Sequence, residues 1–496
     1  EIQRRWRDTA TDNRLAALAV ILAAVLLAAG LAVALAPNIT FDPLRFHLPL
    51  ASHYASEGGL TPLAWDAYGY NPQNFEMLLA LAHSLAGQPA AQLVTPPVFL
   101  LFLMTLYVVV RRCGFSRMPA VVAGVFAAAT PFLHATGVNV KNDLAVAFVQ
   151  LCALLCFLRW RRTRDFRWIS AGVFLAATTM GFKHPAAFGL IGLGLLYSCA
   201  AIFLAVAPFW LVRSYVLTGD PVRYYNLEQP LPPEHAEQVG SAAGRLRTAA
   251  TWPYGIHFDG ELFFRSPVRS PMGILLIVCA PAWVLLRRRS RSLETAACLV
   301  FAITPLLPWA AYVPLMRFVA APLGLLAALT VARLSEWRPR SETFWRMTVR
   351  GALGYAAAFA ICVVLLLEVN APQFRYFAGQ LDKQEYLREA LLTYRSLEAV
   401  AEHAAPGDQV FGLQNCSVAY APDPDRFNCN YHDPADPAQV EDLVRQIRGL
   451  RTRYLILPAE PAAANVLSRL APEATAESVF TDPHYDVYRL SWAGRR

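Results

Sequence analysis

Apolar runs recur along the chain at 15–35, 94–110, 119–133, 144–158, 271–286, 295–312, 318–334 and 351–367, with polar segments between them. Runs of about this length cross a bilayer as helices. The pattern predicts a polytopic α-helical membrane protein. The first run is too long and too plain for a signal peptide, and nothing resembling a cleavage site follows it.

The polar segments alternate in character. Those at 4–7 (RRWR), 111–117 (RRCGFSR), 159–167 (RWRRTRDFR), 287–291 (RRRSR) and 338–350 (RPRSETFWRMTVR) are rich in arginine. This is the positive-inside pattern, so the N-terminus and these loops are expected in the cytoplasm. The loops 37–90 and 213–270 are then outside, at the outer face of a bacterial inner membrane. Between 168 and 212 the crossings must be odd in number. Yet the segment has room for two full spans and is interrupted by GFKHP at 181–185. About eleven transmembrane helices follow, with nine as the other choice of parity.

The last apolar run exits, which leaves the tail 371–496 extracytoplasmic. There EYLREALLTYRSLEAVAEHA has helical periodicity, PGDQVFGL looks like a turn into a strand, and VEDLVRQIRGLRTRYLILP like a helix followed by a buried strand. SVFTDPHYDVYRLSW looks like a terminal strand pair. The alternation predicts a small soluble α/β domain.

Composition agrees with the membrane reading: 56% of residues are hydrophobic and 16% charged, where a soluble domain is nearer a quarter charged. The net charge of +8 sits in the cytoplasmic clusters, so it is topological and argues against a nucleic-acid partner. Among the cysteines, Cys152, Cys156, Cys279, Cys298 and Cys362 fall in apolar runs, Cys199 near a short one and Cys113 in a cytoplasmic loop. All read as small core residues. Cys416 and Cys429 lie in the outside tail, where a disulfide is permitted but not required. No CxxC spacing suggests zinc. No cofactor is expected, and a divalent metal is not indicated.

Candidate chemistry gathers at the outer loops. Asp42, in PNITFDPLRFHLPLASHY at 37–54, follows the first span together with Arg45 and His47. A carboxylate at this boundary is partly desolvated, which raises its basicity and suits a general base. The plain alternative is a helix cap. YGYNPQNFEML at 68–78 sets Asn71, Gln73, Asn74 and Glu76 beside aromatics such as Tyr70, a mixture suited to sugar recognition; the alternative is an ordinary helix start. VNVKNDLAVAF places Lys141 and Asp143 at the next outside turn, with Asn142 as a natural N-cap. Lysine is rare, with Lys141, Lys183 and Lys383 as the three examples among 44 basic residues. Lys183 interrupts an apolar run, and an ionisable residue there is a functional candidate by default. Arg213 and Arg317 sit at comparable outer boundaries. Together the three cations suit a phosphate or diphosphate, while singly each is equally a snorkelling side chain.

In order along the chain, these stretches resemble the GT-C superfamily of membrane glycosyltransferases, especially the bacterial branch related to aminoarabinose transferases and protein O-mannosyltransferases. FDPLRFHLPLASHYASEGGL looks like the family's first outside loop, and YNPQNFEML like its Pro-Gln-x-x-Glu-Met-Leu continuation. TPFLHATGVNVKNDLAVAF is similar to the second loop with its own acid. GFKHP, VRSYVLTGDPV and LMRFVAAPLGLLAAL resemble three later stretches. The likeness covers roughly 15–370, a transmembrane catalytic domain, and the tail is like the soluble domains appended in some members. The resemblance implies inverting transfer of a sugar from a polyprenyl-phosphate donor to an extracytoplasmic lipid, glycan or protein acceptor. It implies Asp42 as catalytic base or acceptor-orienting acid, and Lys183, Arg213 and Arg317 on the donor phosphate. Asp143 and Glu76 would help hold acceptor or sugar, with Arg45, His47, Tyr70 and Gln73 in the same site. Phe46 stands where tyrosine is usual, Pro43 where a second acid follows in the mannosyltransferases, and Asp220 where asparagine is usual. The rival readings are a transporter or flippase of a lipid-linked sugar, and a non-catalytic scaffold acting through the outer domain.

Overall fold

The apolar runs fold as helices because a bilayer offers no other partner for backbone N–H and C=O groups. The computed structural model describes residues 2–61, 67–197, 208–221, 241–259, 262–263, 272, 293–312, 314–335, 342–364, 372–459 and 463–493. Among these, six helices are long and apolar enough to cross a membrane: Asn13–Leu35, Thr95–Arg112, Asp143–Thr163, Leu293–Tyr312, Met316–Leu334 and Arg346–Val364. Residues 198–207, 222–240, 264–271 and 273–292 lie outside the described residues, among them nearly all of the run 271–286 and the whole cluster 287–291, so the count of eleven draws partly on segments not described.

The run expected as one span at 119–133 is instead two helices, Arg117–Ala128 and Pro131–Val138, bent by 68° at the break. The cause is Pro131. It forces Thr130 into extended backbone (φ −75°, ψ 119°), which ends the first helix. The region 166–197 is broken as well. Helix Phe166–Thr178 passes into 3₁₀ turns at Thr179–Gly181 and His184–Ala186, with Lys183 extended between them, and resumes as Ala187–Tyr197. Two carbonyls freed by the break are answered by side chains of the neighbouring helix. Asn142 Nδ2 donates to Phe182 O at 3.0 Å and Gln150 Nε2 to Ala186 O at 3.0 Å. Gly189 makes room for the second bond, since a Cβ there would collide with the Gln150 amide.

The helical unit comprises Glu1–Ala34, Tyr70–Phe75 and Leu93–Val369. Its centre is aromatic: Phe99, Phe102, Phe126, Phe132, Phe301 and Trp309 are all essentially fully buried. Cys156 and Cys298 are buried as expected, and Cys113 joins them, its Sγ 3.4 Å from that of Cys298. Two expectations of burial are corrected: Cys152 is half-buried, and Cys362 is exposed on its helix. Cys199 and Cys279 lie outside the described residues.

A second unit comprises Leu35–Gly69, Glu76–Gln92 and Asn370–Arg496. Its tail carries five strands: β1 Val410–Leu413, β2 Phe427–Asn430, β3 Tyr454–Pro458, β4 Ala474–Thr481 and β5 Tyr485–Trp492, in the order β2-β1-β3-β5-β4. β1 runs parallel to β2 and β3, and the pairs β3–β5 and β4–β5 are antiparallel. Side chains alternate across the sheet. Phe411, Leu413, Leu455 and Leu457 pack with Leu443 and Ile447 of helix Pro437–Leu450. Val410, Tyr454 and Ile456 face Leu397 and Val400 of helix Tyr394–His403. Both faces of the central strands are therefore covered, which is why VFGL and YLILP read as continuous apolar runs. Cys416 and Cys429 form a disulfide that joins the segment after β1 to β2. Closing a loop of this size typically stabilises by about 3 kcal/mol. Replacing both cysteines by alanine should therefore bring protease cleavage of the tail to lower temperature in the full-length protein. Unchanged protease resistance would show that the bond staples nothing.

Candidate functional site

The chain leaves its first span through five residues, 36–40, whose backbone is not helical, and the first three carbonyls are taken up one after another. Gln92 Nε2 donates to Ala36 O at 3.2 Å, Tyr386 Oη to Pro37 O at 3.0 Å and Tyr420 Oη to Asn38 O at 2.8 Å. The Gln92 side-chain oxygen accepts from Asn38 N at 2.9 Å. Buried backbone groups need such partners; here they come from helix Asn74–Gln92 and from two tyrosines of the tail. Burial pushes both phenol pKa values up from their ordinary value, so the hydroxyls stay protonated donors.

Asp42 follows this clasp and begins a π-helical turn, Pro43–His47. It occupies the N-cap position but makes no side-chain capping bond, so the capping alternative does not describe it, and it is 8% exposed. π-turns are rare and frequent at functional sites. This one turns His47 inward, where Nδ1 lies 2.7 Å from Glu76 Oε1, with both residues about 2% exposed. Glu76 Oε2 is also buried and has no hydrogen-bond partner among the described residues. Arg45 lies over the ring of Tyr68 at 5.4 Å, and Phe46 stacks on the same ring at 4.2 Å. The tail adds Tyr431, edge-on to Phe41 at 5.0 Å and within electrostatic reach of Arg45.

The helical unit builds a cationic cluster at its breaks. Asp143 is the first residue of helix Asp143–Thr163, is 3% exposed, and accepts from Lys183 Nζ at 2.9 Å. Asn142 occupies the N-cap position without a capping bond, because its amide holds Phe182 O. Arg317 lies on a 3₁₀ turn, Met316–Val319, whose approach is tied down by Trp309 Nε1 donating to Leu315 O at 2.8 Å. Lys183 Nζ stands 4.8 Å and the Arg317 guanidinium 5.6 Å from the centre of the Phe318 ring. Asp143 feels the charges of Lys183, Arg317 and Lys141. Arg213 lies over the ring of Trp210 at 5.6 Å. Trp210 and Asn74 both crowd Gly181, where a Cβ would strike the Asn74 amide, so the break requires glycine at that point. Gln73 is buried with its Nε2 on Asn71 O at 3.0 Å, and Tyr70 ends the 3₁₀ turn Ala67–Tyr70, half-buried.

The structure thus pairs His47 with Glu76 and Lys183 with Asp143, and sets Arg317 beside the second pair. It leaves Tyr70 and Gln73 at the entry to helix Asn74–Gln92. The sequence reading did not single out Phe318, Trp210, Tyr68 or Tyr431. For the first three a signal exists, an aromatic within a few positions of a candidate cation or its loop; for Tyr431 there is none. A buried pair broken on one side leaves an uncompensated charge, at a cost of about 3 kcal/mol or more. Lys183→Met and Asp143→Asn should each lower the melting temperature, and the double substitution should cost less than the two together. Additive losses would show that the pair is not coupled.

A family model described as dolichyl-phosphate-mannose-protein mannosyltransferase matches residues 71–220. No curated protein gives a significant sequence match. Among solved structures the chain is similar to ArnT from Cupriavidus metallidurans bound to undecaprenyl phosphate, at 14% identity and a TM-score of 0.60. The match covers 95% of this chain and 97% of that one. It is also similar to the archaeal oligosaccharyltransferase AglB from Archaeoglobus fulgidus in complex with an inhibitory peptide and a dolichol-phosphate, at 14% identity and a TM-score of 0.51. Here 88% of this chain and 69% of that one are covered. The chain has the GT-C-like fold of these structures, with helices long and apolar enough to cross a membrane and a small sheet domain at its C-terminal end.

Proposed function

We propose that the protein is a glycosyltransferase that moves a sugar from a polyprenyl-phosphate donor to an extracytoplasmic acceptor with inversion. The observation that carries this reading is the convergence of Lys183 and Arg317 on Phe318, beside Asp143, where two apolar helices are interrupted. Two cations against one carboxylate leave a net positive charge in surroundings poor in water. That suits a phosphate head group more than a neutral sugar. The undecaprenyl phosphate of ArnT and the dolichol-phosphate of AglB support the same class of donor here.

In the reaction, the acceptor's attacking oxygen or nitrogen gives its proton to the Asp42 carboxylate and bonds to the anomeric carbon. The bond from that carbon to the phosphate oxygen breaks, and the electron pair leaves with the polyprenyl phosphate. Lys183, Arg317 and Arg213 stabilise the charge that develops on the leaving phosphate. Asp143 holds Lys183 in place, and Glu76 holds His47, so that the turn carrying Asp42 and Arg45 keeps its shape. The tail lies outside the membrane, an assignment supported by the Cys416–Cys429 disulfide.

Purified protein in detergent, given a polyprenyl-phosphate sugar and candidate acceptors, should form a new glycosidic bond detectable by mass spectrometry. A transporter would bind the same lipid and form none. Asp42→Asn should fold and lose transfer by about 100-fold or more, the usual contribution of a general base. Undiminished turnover in that variant would sink the assignment. Arg317→Ala should lower kcat by about 100-fold, as removal of one charge-stabilising donor commonly does. A rise in KM alone would reassign Arg317 to ground-state binding.

A further inference from the structure

The basic end of the helical unit contains a cavity that the proposed transfer does not use. It has a volume of about 240 Å³ and lies between the helices Asp143–Thr163, Ala187–Tyr197 and Leu293–Ile303. Phe157, Leu158, Leu196 and Val300 line its body with hydrocarbon. Arg161, Arg162 and Glu294 line its mouth. Phe157 and Arg161 are one helical turn apart, so the change from apolar wall to cationic rim is abrupt.

The rim charges are not equally engaged. Arg162 Nε donates to Glu294 Oε1 at 3.0 Å, and Nη2 reaches Arg112 O at 3.3 Å. Arg161, half-buried, makes no hydrogen bond or ion pair among the described residues. Close by, Arg159 lies over the Trp168 ring at 5.8 Å and Arg164 over the Trp160 ring at 5.5 Å. Indole rings and arginines at one level of a helical bundle mark the head-group layer of a membrane. The slot therefore opens in that layer and runs towards the hydrocarbon.

An occupant of this slot must satisfy two demands at once. A soluble anion would answer Arg161 but leave the apolar walls without an apolar partner. A neutral lipid tail would fill the walls and leave the guanidinium unanswered. Among the described residues around the mouth, Arg112, Arg159, Arg161, Arg162 and Arg164 outnumber the acids Glu294 and Asp165, so the rim carries excess positive charge. Basic pockets between transmembrane helices recognise acidic lipid head groups in this way. We propose that the cavity binds an anionic glycerophospholipid, with one acyl chain between the three helices and the phosphate on Arg161.

The test uses full-length protein in detergent, incubated with equimolar phosphatidylglycerol and phosphatidylcholine, with the retained lipids read by native mass spectrometry. The wild type should retain phosphatidylglycerol several-fold over phosphatidylcholine. Arg161→Ala should abolish that preference, and Val300→Trp, which fills the slot, should lower retention of phosphatidylglycerol several-fold. Equal retention of the two lipids by the wild type, or a preference unchanged in both variants, overturns the proposal. A dimer that Val300→Trp dissociates while lipid retention stays constant also overturns it, because the occupant would then be a second copy of the chain. Arg161 lies at the rim, so the Arg161→Ala comparison remains decisive should Val300→Trp fail to fold.

Discussion

Backbone that leaves the helical state inside a membrane must find its hydrogen bonds within the protein. Much of this structure follows from that one demand. A break in a helix frees carbonyls, and three of them are met by side chains: Asn142 on Phe182 O, Gln150 on Ala186 O, Trp309 on Leu315 O. These bonds let the chain interrupt its spans at 179–186 and 316–319 without exposing bare peptide groups. The interruptions are where the ionisable side chains gather, because a broken helix both supplies polar surroundings and lets a lysine or arginine turn inward. Lys183, Arg317 and Asp143 meet for that reason.

The same device operates outside the spans. The carbonyls of 36–38 are held by Gln92, Tyr386 and Tyr420, and the residues beyond them enter a π-turn rather than a free loop. Here the partners come from the distant tail, so the tail is part of what shapes the loop of Asp42. The His47–Glu76 pair completes the turn from within. Two polar pairs thus sit one in each unit, His47 with Glu76 and Lys183 with Asp143, and each holds a charged candidate residue in place.

Hydropathy made six spans legible, since runs such as 94–110 and 318–334 needed only length and apolar content. The scarcity of lysine pointed to Lys183. Continuous apolar runs in the tail announced β1 and β3, and SVFTDPHYDVYRLSW announced the closing pair β4–β5. What stayed hidden is of another kind. That Asn142 would hold a carbonyl instead of capping its own helix depends on a break forty residues away. That Pro131 would bend a span by 68° rather than kink it mildly depends on the packing around it. Tyr386, Tyr420 and Tyr431 carry no local mark, because their partners are set by how the tail folds against 35–69, and pattern along the chain says nothing about contacts across it.

The clasp on residues 36–38 has a consequence for the order of events during biosynthesis. The loop that carries Asp42 is synthesised well before its partners, since Tyr386 lies 349 residues after Pro37 and Tyr420 lies 382 after Asn38, the latter between the two cysteines that must still be oxidised. The helices can therefore enter the membrane one by one while the loop lacks its final shape. It acquires that shape only after the tail has been made and has closed its disulfide, so a chain stopped before residue 386 would be inserted while the backbone of 36–38 still lacked its tyrosine partners.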